Sequence, residues 1–340
     1  MHSYRSDLKL QQIRDVATQL KPMLLNTPTM PLHGAWSERS LASDAPASIT
    51  LKLELFQHTG SFKVRGALNS VMGLSAEQKA RGITAASAGN HAVALAYAAR
   101  KFGVSAKIAV TASTNPIRLA LARSYGAEII VCSDAYAAFE TAQRLVQEEE
   151  RVMIHPFDSE AISLATGGIG LEIVDQVPEV EAVVIAVGGG GLISGAAAAL
   201  KQLRPNCQVW GVEPEGANAM QQSLLSGLPT RLASINTIAD SLGAPMTLPY
   251  SLGLCQSYID GIVSISDEAL CSALAMLFFD SKLAVEPAGA AALAAVIGPL
   301  RQQLRGLHVV LVVCGANIDS NGFTRYLARG EQTLIAEQKN

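Results

Sequence analysis

An uncharged stretch of 19 residues, Ala182–Leu200, is the strongest constraint on what this chain can fold into. It reaches the length of a membrane-spanning helix. Four consecutive glycines, Gly188–Gly191, interrupt the stretch, and glycine is unfavourable inside a helix. The pattern therefore favours a buried strand over Ala182–Val187, a glycine turn and a helix from Leu192, all within a soluble α/β protein.

The composition excludes several other classes of protein. The chain has 340 residues, of which 49% are hydrophobic and only 16% charged, so it has ample apolar surface for a core and is not disordered. A net charge of −3 gives no basic excess for binding nucleic acid. Met1–Leu10 carries charges and no apolar core, so we expect no signal peptide. Five cysteines without C-x-x-C spacing indicate reduced thiols in a cytoplasmic protein.

Strand-like and helix-like stretches alternate along the chain, which is typical of an α/β protein with a mostly parallel sheet. The predicted strands are 48–53, 82–86, 106–110, 128–132, 182–187, 209–212 and 309–313. The predicted helices are 63–72, 90–102, 116–125, 136–149, 192–203, 267–283 and 287–297. Ligands of such folds bind beyond the carboxyl ends of the strands.

The order of these elements predicts two domains. Residues 81–150 form a compact alternating series of their own, so we expect a small substrate-loop domain there. It would be inserted into a large cofactor-binding domain made of residues 1–80 and 151–330. Residues 331–340 are expected to form a short polar tail.

The glycine turn predicts a phosphate site, because glycine lets backbone N–H groups converge on an anion at a helix N-terminus. No lysine follows it as in a nucleoside-triphosphate loop. The dinucleotide pattern G-x-G-x-x-G fails by one residue at Ser194, although Glu213 stands near the place of a ribose-binding acid. The single phosphate of pyridoxal 5′-phosphate (PLP) fits equally well, so the turn alone leaves both cofactors open.

Three further segments carry candidate chemistry. Lys63 lies at a predicted helix start, where the helix dipole and burial disfavour its charge and suit an amine that forms a Schiff base. Ser87–His91 joins a strand to a helix and could bind a carboxylate, or Asn90 could simply cap the helix. Cys314 ends a buried strand, either facing a ligand or as a small core residue. The histidines are scattered, which argues against a metal site.

Several motifs in one order resemble the serine/threonine dehydratases, which are fold-type II PLP enzymes. The resemblance covers nearly the whole chain, from Pro28 to about Asp319. Its motifs are Gly60-Ser61-Phe62-Lys63-Val64-Arg65-Gly66-Ala67, Ser87-Ala88-Gly89-Asn90-His91-Ala92, His155-Pro156-Phe157-Asp158, Gly188–Gly191, Gly211-Val212-Glu213-Pro214, Glu286-Pro287-Ala288-Gly289-Ala290 and Cys314-Gly315-Ala316-Asn317. It implies a tryptophan-synthase-β-like fold, with two open α/β domains and the cofactor in the cleft between them.

The resemblance also implies the site. Lys63 would be catalytic and hold PLP as a Schiff base, Asn90 would bind the ring hydroxyl, and Cys314 would face the pyridine nitrogen. The cofactor-binding residues would be Phe62, Lys63, Asn90, Gly188, Gly189, Gly190, Gly191, Leu192, Glu286 and Cys314. The substrate-binding residues would be Ser87, Ala88, Gly89, Asn90 and His91.

A neutral thiol near the pyridine nitrogen weakens the ring as an electron sink and favours elimination. The resemblance therefore implies that the chain converts a threonine- or serine-like 3-hydroxy amino acid into a 2-oxo acid and ammonia. It also implies a homodimer. Alternatives are a hydroxyectoine-derived substrate, an NAD(P)-dependent oxidoreductase, and a racemase, which Ala88 disfavours because racemases of the family carry serine there. The cation site of the family pairs the acid at Glu213 with a second acid where this chain has Ala219, so no metal is expected.

Overall fold

The computed structural model describes residues 7–41 and 44–337, in which ten strands form two sheets. The strands are β1 Thr29–Pro31, β2 Ser48–Lys52, β3 Ile83–Ala86, β4 Ala106–Thr111, β5 Glu128–Cys132, β6 Val152–Met153, β7 Ala182–Ala186, β8 Gln208–Pro214, β9 Gly261–Ile265 and β10 His308–Val312. The first sheet has the order β1-β2-β10-β7-β8-β9, and the second has the order β5-β4-β3-β6. All neighbouring strands are parallel except β1 and β2.

Helices cover both sheets. They are α1 Leu10–Leu20, α2 Ala35–Leu41, α3 Lys63–Met72, α4 Ala76–Arg81, α5 Asn90–Phe102, α6 Pro116–Ser124, α7 Ala135–Glu149, α8 Glu160–Gln176, α9 Ile193–Leu203, α10 Ala219–Ser226, α11 Pro249–Tyr258, α12 Asp267–Ser281, α13 Pro287–Ile297 and α14 Ser320–Glu337. Every residue of β7 is buried, as expected for a central strand covered on both faces. The α/β fold class is therefore confirmed.

Each sheet has its own apolar core. The core of the first sheet includes β7, β10 and α13, and that of the second includes β3, α5 and the buried face of α3. The strands of the second sheet lie between residues 83 and 153, and the division into domains at residues 81–150 stays a prediction. Residues 331–337 of the expected tail continue α14, and residues 338–340 lie outside the described residues.

Glycines allow α8 and α9 to pack in close contact. A Cβ on Gly195 would lie 1.9 Å from the carbonyl oxygen of Ser163, and one on Gly170 would lie 2.5 Å from that of Ala196. This contact supports the helix that follows the glycine turn. Among the described residues, no helix is long and apolar enough to cross a membrane.

Candidate active site

A cavity of about 260 Å³ is lined by the loops that follow β3, β7 and β10. These loops lie at the carboxyl ends of parallel strands, where α/β folds bind ligands. The predicted site residues that line the cavity are Phe62, Lys63, Ser87, Ala88, Gly89, Asn90, His91, Gly189, Glu286 and Cys314. The remaining four, Gly188, Gly190, Gly191 and Leu192, belong to the same turn as Gly189 but are not among the lining residues.

Lys63 presents its amine to this cavity. It is the first residue of α3, as the sequence predicts, and its Nζ donates a hydrogen bond to the carbonyl oxygen of Pro156 at 2.6 Å. Burial lowers the pKa of Lys63 to about 8, while electrostatic interactions with the Cys314 and Glu286 side chains oppose the shift. The amine is therefore far more available as a nucleophile or base at neutral pH than an ordinary lysine.

The segment that leads into Lys63 has an unusual backbone. Thr59 and Gly60 both have a φ of 71°, a left-handed conformation that is costly for a β-branched residue such as threonine. The carbonyl oxygen of Thr59 accepts a hydrogen bond from Asn317 at 2.7 Å, and that of Gly60 accepts one from the N–H of Ala316 at 3.0 Å. The strained turn is thus fixed against the loop after β10, which holds Lys63 in place.

Cys314 lies two residues after the buried end of β10. Its Sγ donates to the carbonyl oxygen of Ala288 at 3.4 Å. Burial and the nearby charge of Glu286 raise the pKa of the Cys314 thiol far above its usual range. Cys314, which the family resemblance places beside the cofactor ring, therefore carries a neutral thiol.

Glu286 is the centre of a buried hydrogen-bond network. Its Oε1 accepts from Asn90 Nδ2 at 2.7 Å and from Ser241 Oγ at 2.9 Å, and its Oε2 accepts from Arg118 Nη2 at 3.1 Å. Asn90 Oδ1 in turn accepts from Asn317 Nδ2 at 2.8 Å. Burial raises the pKa of Glu286, and the positive charge of Arg118 opposes that rise. The network ties the start of α5 to loops of the first sheet.

Arg118 connects the second sheet to the same network. It lies on α6, is 3% exposed, and binds both oxygens of Asp240 at 2.6 and 3.1 Å in addition to Glu286. Its Nε donates to the carbonyl oxygen of Asn317 at 3.0 Å. Two carboxylates therefore neutralise the guanidinium, which leaves it little capacity to bind a further anion.

The glycine turn is shaped by the segment after β6. A Cβ on Gly189 would lie 2.3 Å from the ring of Phe157, and one on Gly191 would lie 2.6 Å from its carbonyl oxygen. Gly190 has a φ of 93°, which favours glycine. His155 Nδ1 accepts hydrogen bonds from the N–H groups of Phe157 and Asp158, which holds the ring of Phe157 in place.

The loop Ser87–His91 ends at the start of α5. Gly89 stands at the cap position without a side-chain cap, so Asn90 binds Glu286 instead of capping the helix. A Cβ on Gly89 would meet nothing within 4 Å, so the cavity is open at this loop. Burial lowers the pKa of His91 to about 3, and its Nε2 donates to the carbonyl oxygen of Ile154, so the imidazole is neutral.

Sequence reasoning missed Arg118 as a site residue, and it assigned no role in the site to Asp240 or Ser241. Arg118 lies in a helical segment that resembles a solvated surface, and its partners lie 122 and 168 residues away. Ser241 lies in a single 3-10 turn, Asp240–Leu242, within the long connection between α10 and α11. Glu213, the residue that left a dinucleotide site open as an interpretation of the sequence, does not line the cavity. It is buried elsewhere, and its side-chain oxygens accept hydrogen bonds from the N–H groups of Met220 and Gln221.

The donor set suits PLP. The amine of Lys63 lies beside a neutral thiol and an aromatic ring, with its Nζ 5.2 Å from the centroid of Phe62. The glycine turn leads from β7 into α9, whose N-terminus favours a phosphate. In the described part of the chain the buried hydroxyl of Ser61, two residues before Lys63, has no hydrogen-bond partner. These features fit the aldehyde, the ring and the single phosphate of this cofactor.

Comparisons with known proteins agree with this geometry. Residues 23–315 match the family model described as "Pyridoxal-phosphate dependent enzyme". A phenylserine dehydratase of Ralstonia pickettii is 44% identical over 83% of this chain and 87% of its own length. An L-threonine ammonia-lyase of Thermotoga maritima is 35% identical over 95% of this chain and 79% of its own. The solved structure of maize serine racemase, 30% identical, superposes with a TM-score of 0.88 over 96% of this chain and 99% of that one.

Proposed function

Because the chain belongs to the family of pyridoxal-phosphate dependent enzymes, we propose that it is a dehydratase that acts on a 3-hydroxy amino acid. The products are a 2-oxo acid and ammonia, since the water lost in elimination is taken up again in hydrolysis. The observation that carries the proposal is the Lys63 amine, with its pKa lowered to about 8, in one cavity with the neutral thiol of Cys314.

Lys63 moves the proton at Cα. When bound, PLP supplies the electron sink that makes this proton acidic. A pKa of about 8 leaves part of the Lys63 amine neutral at pH 7, so it can act as a general base. With PLP bound, Cys314 would face the pyridine nitrogen, as the family resemblance implies, and its neutral thiol would stabilise a positive charge there less than a carboxylate would. It therefore favours loss of the β-hydroxyl over amino transfer.

The two helix starts orient the reactants. The turn Gly188–Leu192 would hold the cofactor phosphate, and the N–H groups of Ser87–His91 would hold the substrate carboxylate. The amide of Asn90 carries two hydrogens, and its contact with Glu286 uses one of them. The second can be donated to the cofactor. The methyl group of Ala88 offers no base on the opposite face of Cα, which argues against racemisation.

The cavity wall indicates the side chain of the substrate. Leu242, Ala244 and Pro245 line one side and are apolar. Arg118 is already neutralised by Asp240 and Glu286, so it is not available for a second substrate carboxylate. We therefore infer an uncharged substrate side chain, as in threonine, serine or phenylserine, in preference to 3-hydroxyaspartate.

An ammonia-release assay of the PLP-loaded protein tests this function. The substrates are serine, threonine, phenylserine, 3-hydroxyaspartate and hydroxyectoine derivatives, and Lys63→Ala is the inactive control. We expect release from the uncharged hydroxy amino acids and little from 3-hydroxyaspartate. Release from the hydroxyectoine derivatives alone would move the proposal to that alternative substrate. A yellow, PLP-loaded protein that releases no ammonia from any of them would overturn the proposal.

We further propose that the enzyme is a cytoplasmic homodimer. The family resemblance supports the dimer, and the five free thiols support a reducing compartment. Sedimentation analysis of the holoenzyme tests the dimer, and a single monomeric species would contradict it.

A further inference from the structure

Glu213 is a fully buried carboxyl group at the end of β8, and burial raises its pKa to about 8, while the two backbone N–H groups that it binds oppose the rise. Its Oε1 accepts the N–H of Met220 at 2.9 Å, and its Oε2 accepts the N–H of Gln221 at 2.8 Å. These two donors lie in the first turn of α10, where helix N–H groups have no partner within the helix. Both oxygens of Glu213 therefore bind the start of α10.

Helix α10 carries this contact to the glycine turn. Met220 is buried, and its methyl group lies under Gly190, where an added Cβ would be 2.7 Å from Met220 Cε. Ser251 on α11 packs at the same point, 3.2 Å from that Cβ position. The position of Met220 depends on how α10 begins, so Glu213 supports the turn from below through α10.

The surroundings of Glu213 do not fit the divalent cation that the family resemblance implies. Such a cation takes six to eight oxygen ligands, usually with several carboxylates. The second acid is replaced by Ala219, which is fully buried. Among the described residues, no group of three histidine, cysteine, aspartate or glutamate side chains could hold a metal. A cation on Glu213 would also have to displace both N–H donors of α10.

We propose that Glu213 is a positioning residue that takes over the structural role of a cation, by fixing α10 and thereby Met220 under the glycine turn. The inference rests on the proposed function in one respect, that this turn holds the phosphate of PLP. It predicts that PLP binding depends on the two acceptor oxygens of Glu213 and not on a divalent metal.

The test measures PLP affinity by titrating the apoenzyme and the melting temperature of the holoenzyme. We expect EDTA followed by Mg²⁺, Ca²⁺ or Mn²⁺ to change neither quantity. Glu213→Gln replaces one acceptor oxygen by an NH₂ group directed at an N–H donor, so we expect PLP to bind at least about fivefold more weakly. The control is Glu215→Gln, an exposed glutamate two residues further on, which should bind PLP as the unmutated protein does.

Met220→Ala provides a second variant in case Glu213→Gln fails to fold. Met220→Ala keeps the contact of Glu213 with α10 but removes the methyl group under Gly190, so it should also weaken PLP binding. Met220→Leu keeps an apolar side chain at this place and should bind PLP nearly as well as the unmutated protein. A loss of PLP affinity or melting temperature in EDTA that a divalent cation reverses would overturn the inference. Unchanged PLP affinity in both Glu213→Gln and Met220→Ala would do the same. A protein that binds no PLP at all under any of these conditions would refute the proposed function instead.

Discussion

The lowered pKa of Lys63 makes a quantitative prediction about how the apoenzyme captures PLP. Only the neutral amine attacks the aldehyde, so the rate follows the fraction of Lys63 that is unprotonated. With a pKa of about 8, roughly one tenth of the amine is neutral at pH 7. At the ordinary value of 10.5 the neutral fraction would be roughly one in 3,000. The site should therefore react roughly 300-fold faster than an ordinary lysine at this pH.

Stopped-flow absorbance of the apoenzyme mixed with PLP measures this rate from pH 6 to 10. The rate constant should rise about tenfold per pH unit at low pH and level off near pH 8. Glu286→Gln removes a negative charge that raises the pKa of Lys63, so the plateau should begin at lower pH. Glu215→Gln is the control, since this exposed residue lies outside the cavity wall. A rate that still rises tenfold per unit above pH 9.5 would refute the argument that burial depresses this pKa.

Four further variants test the packing and charges around the site. Gly195→Ala places a Cβ 1.9 Å from a carbonyl oxygen of α8, so urea unfolding should show that the free energy of unfolding falls by about 1–3 kcal/mol. An unchanged midpoint of unfolding would contradict the close contact between α8 and α9. Gly189→Ala places a Cβ 2.3 Å from the ring of Phe157, so PLP titration should show affinity reduced by about tenfold or more, and normal binding would contradict the role of this contact. Arg118→Met leaves the buried carboxylate of Glu286 without its cation, so urea unfolding should show a loss of about 3–5 kcal/mol. Asp240→Asn changes a side chain that is 58% exposed and should cost less than about 1 kcal/mol. Equal losses in the two variants would contradict the view that Glu286 is the partner that matters for stability.

Elements with strong local signals were predictable from the sequence. The helices Lys63–Met72, Asn90–Phe102 and Pro287–Ile297 have the predicted bounds, because glycine loops or a proline mark their starts and small or apolar residues continue them. Helix α8 was not predicted. It contains three glycines and is buried on several faces, so its sequence shows neither a clear amphipathic period nor a high helix propensity. Gly170 is required by the close approach of α9, and Gly167 by that of Ile13 on α1, so both meet a tertiary requirement.

The same distinction holds within the site. Lys63 and the glycine turn stand out because their chemistry depends on neighbouring residues in the chain. The pairing of Arg118 with Asp240 and Glu286 does not stand out in the sequence, because it joins segments more than a hundred residues apart. The depressed pKa of Lys63 was expected in direction from its helix position and burial. The contribution of Glu286 to that pKa needed the three-dimensional arrangement.

The place of β10 in the first sheet has a consequence for the synthesis of the protein. This strand lies between β2 and β7, and His308 pairs with Ser48, which precedes it by 260 residues. At a translation rate of about 5–20 residues per second, roughly 13–50 s pass between the two. Until β10 is made, β2 keeps an unpaired edge that another chain could join, and so does β7 from its own synthesis onward. These edges are therefore expected to be the sites at which the nascent chain is most prone to associate with another chain, until β10 has left the ribosome.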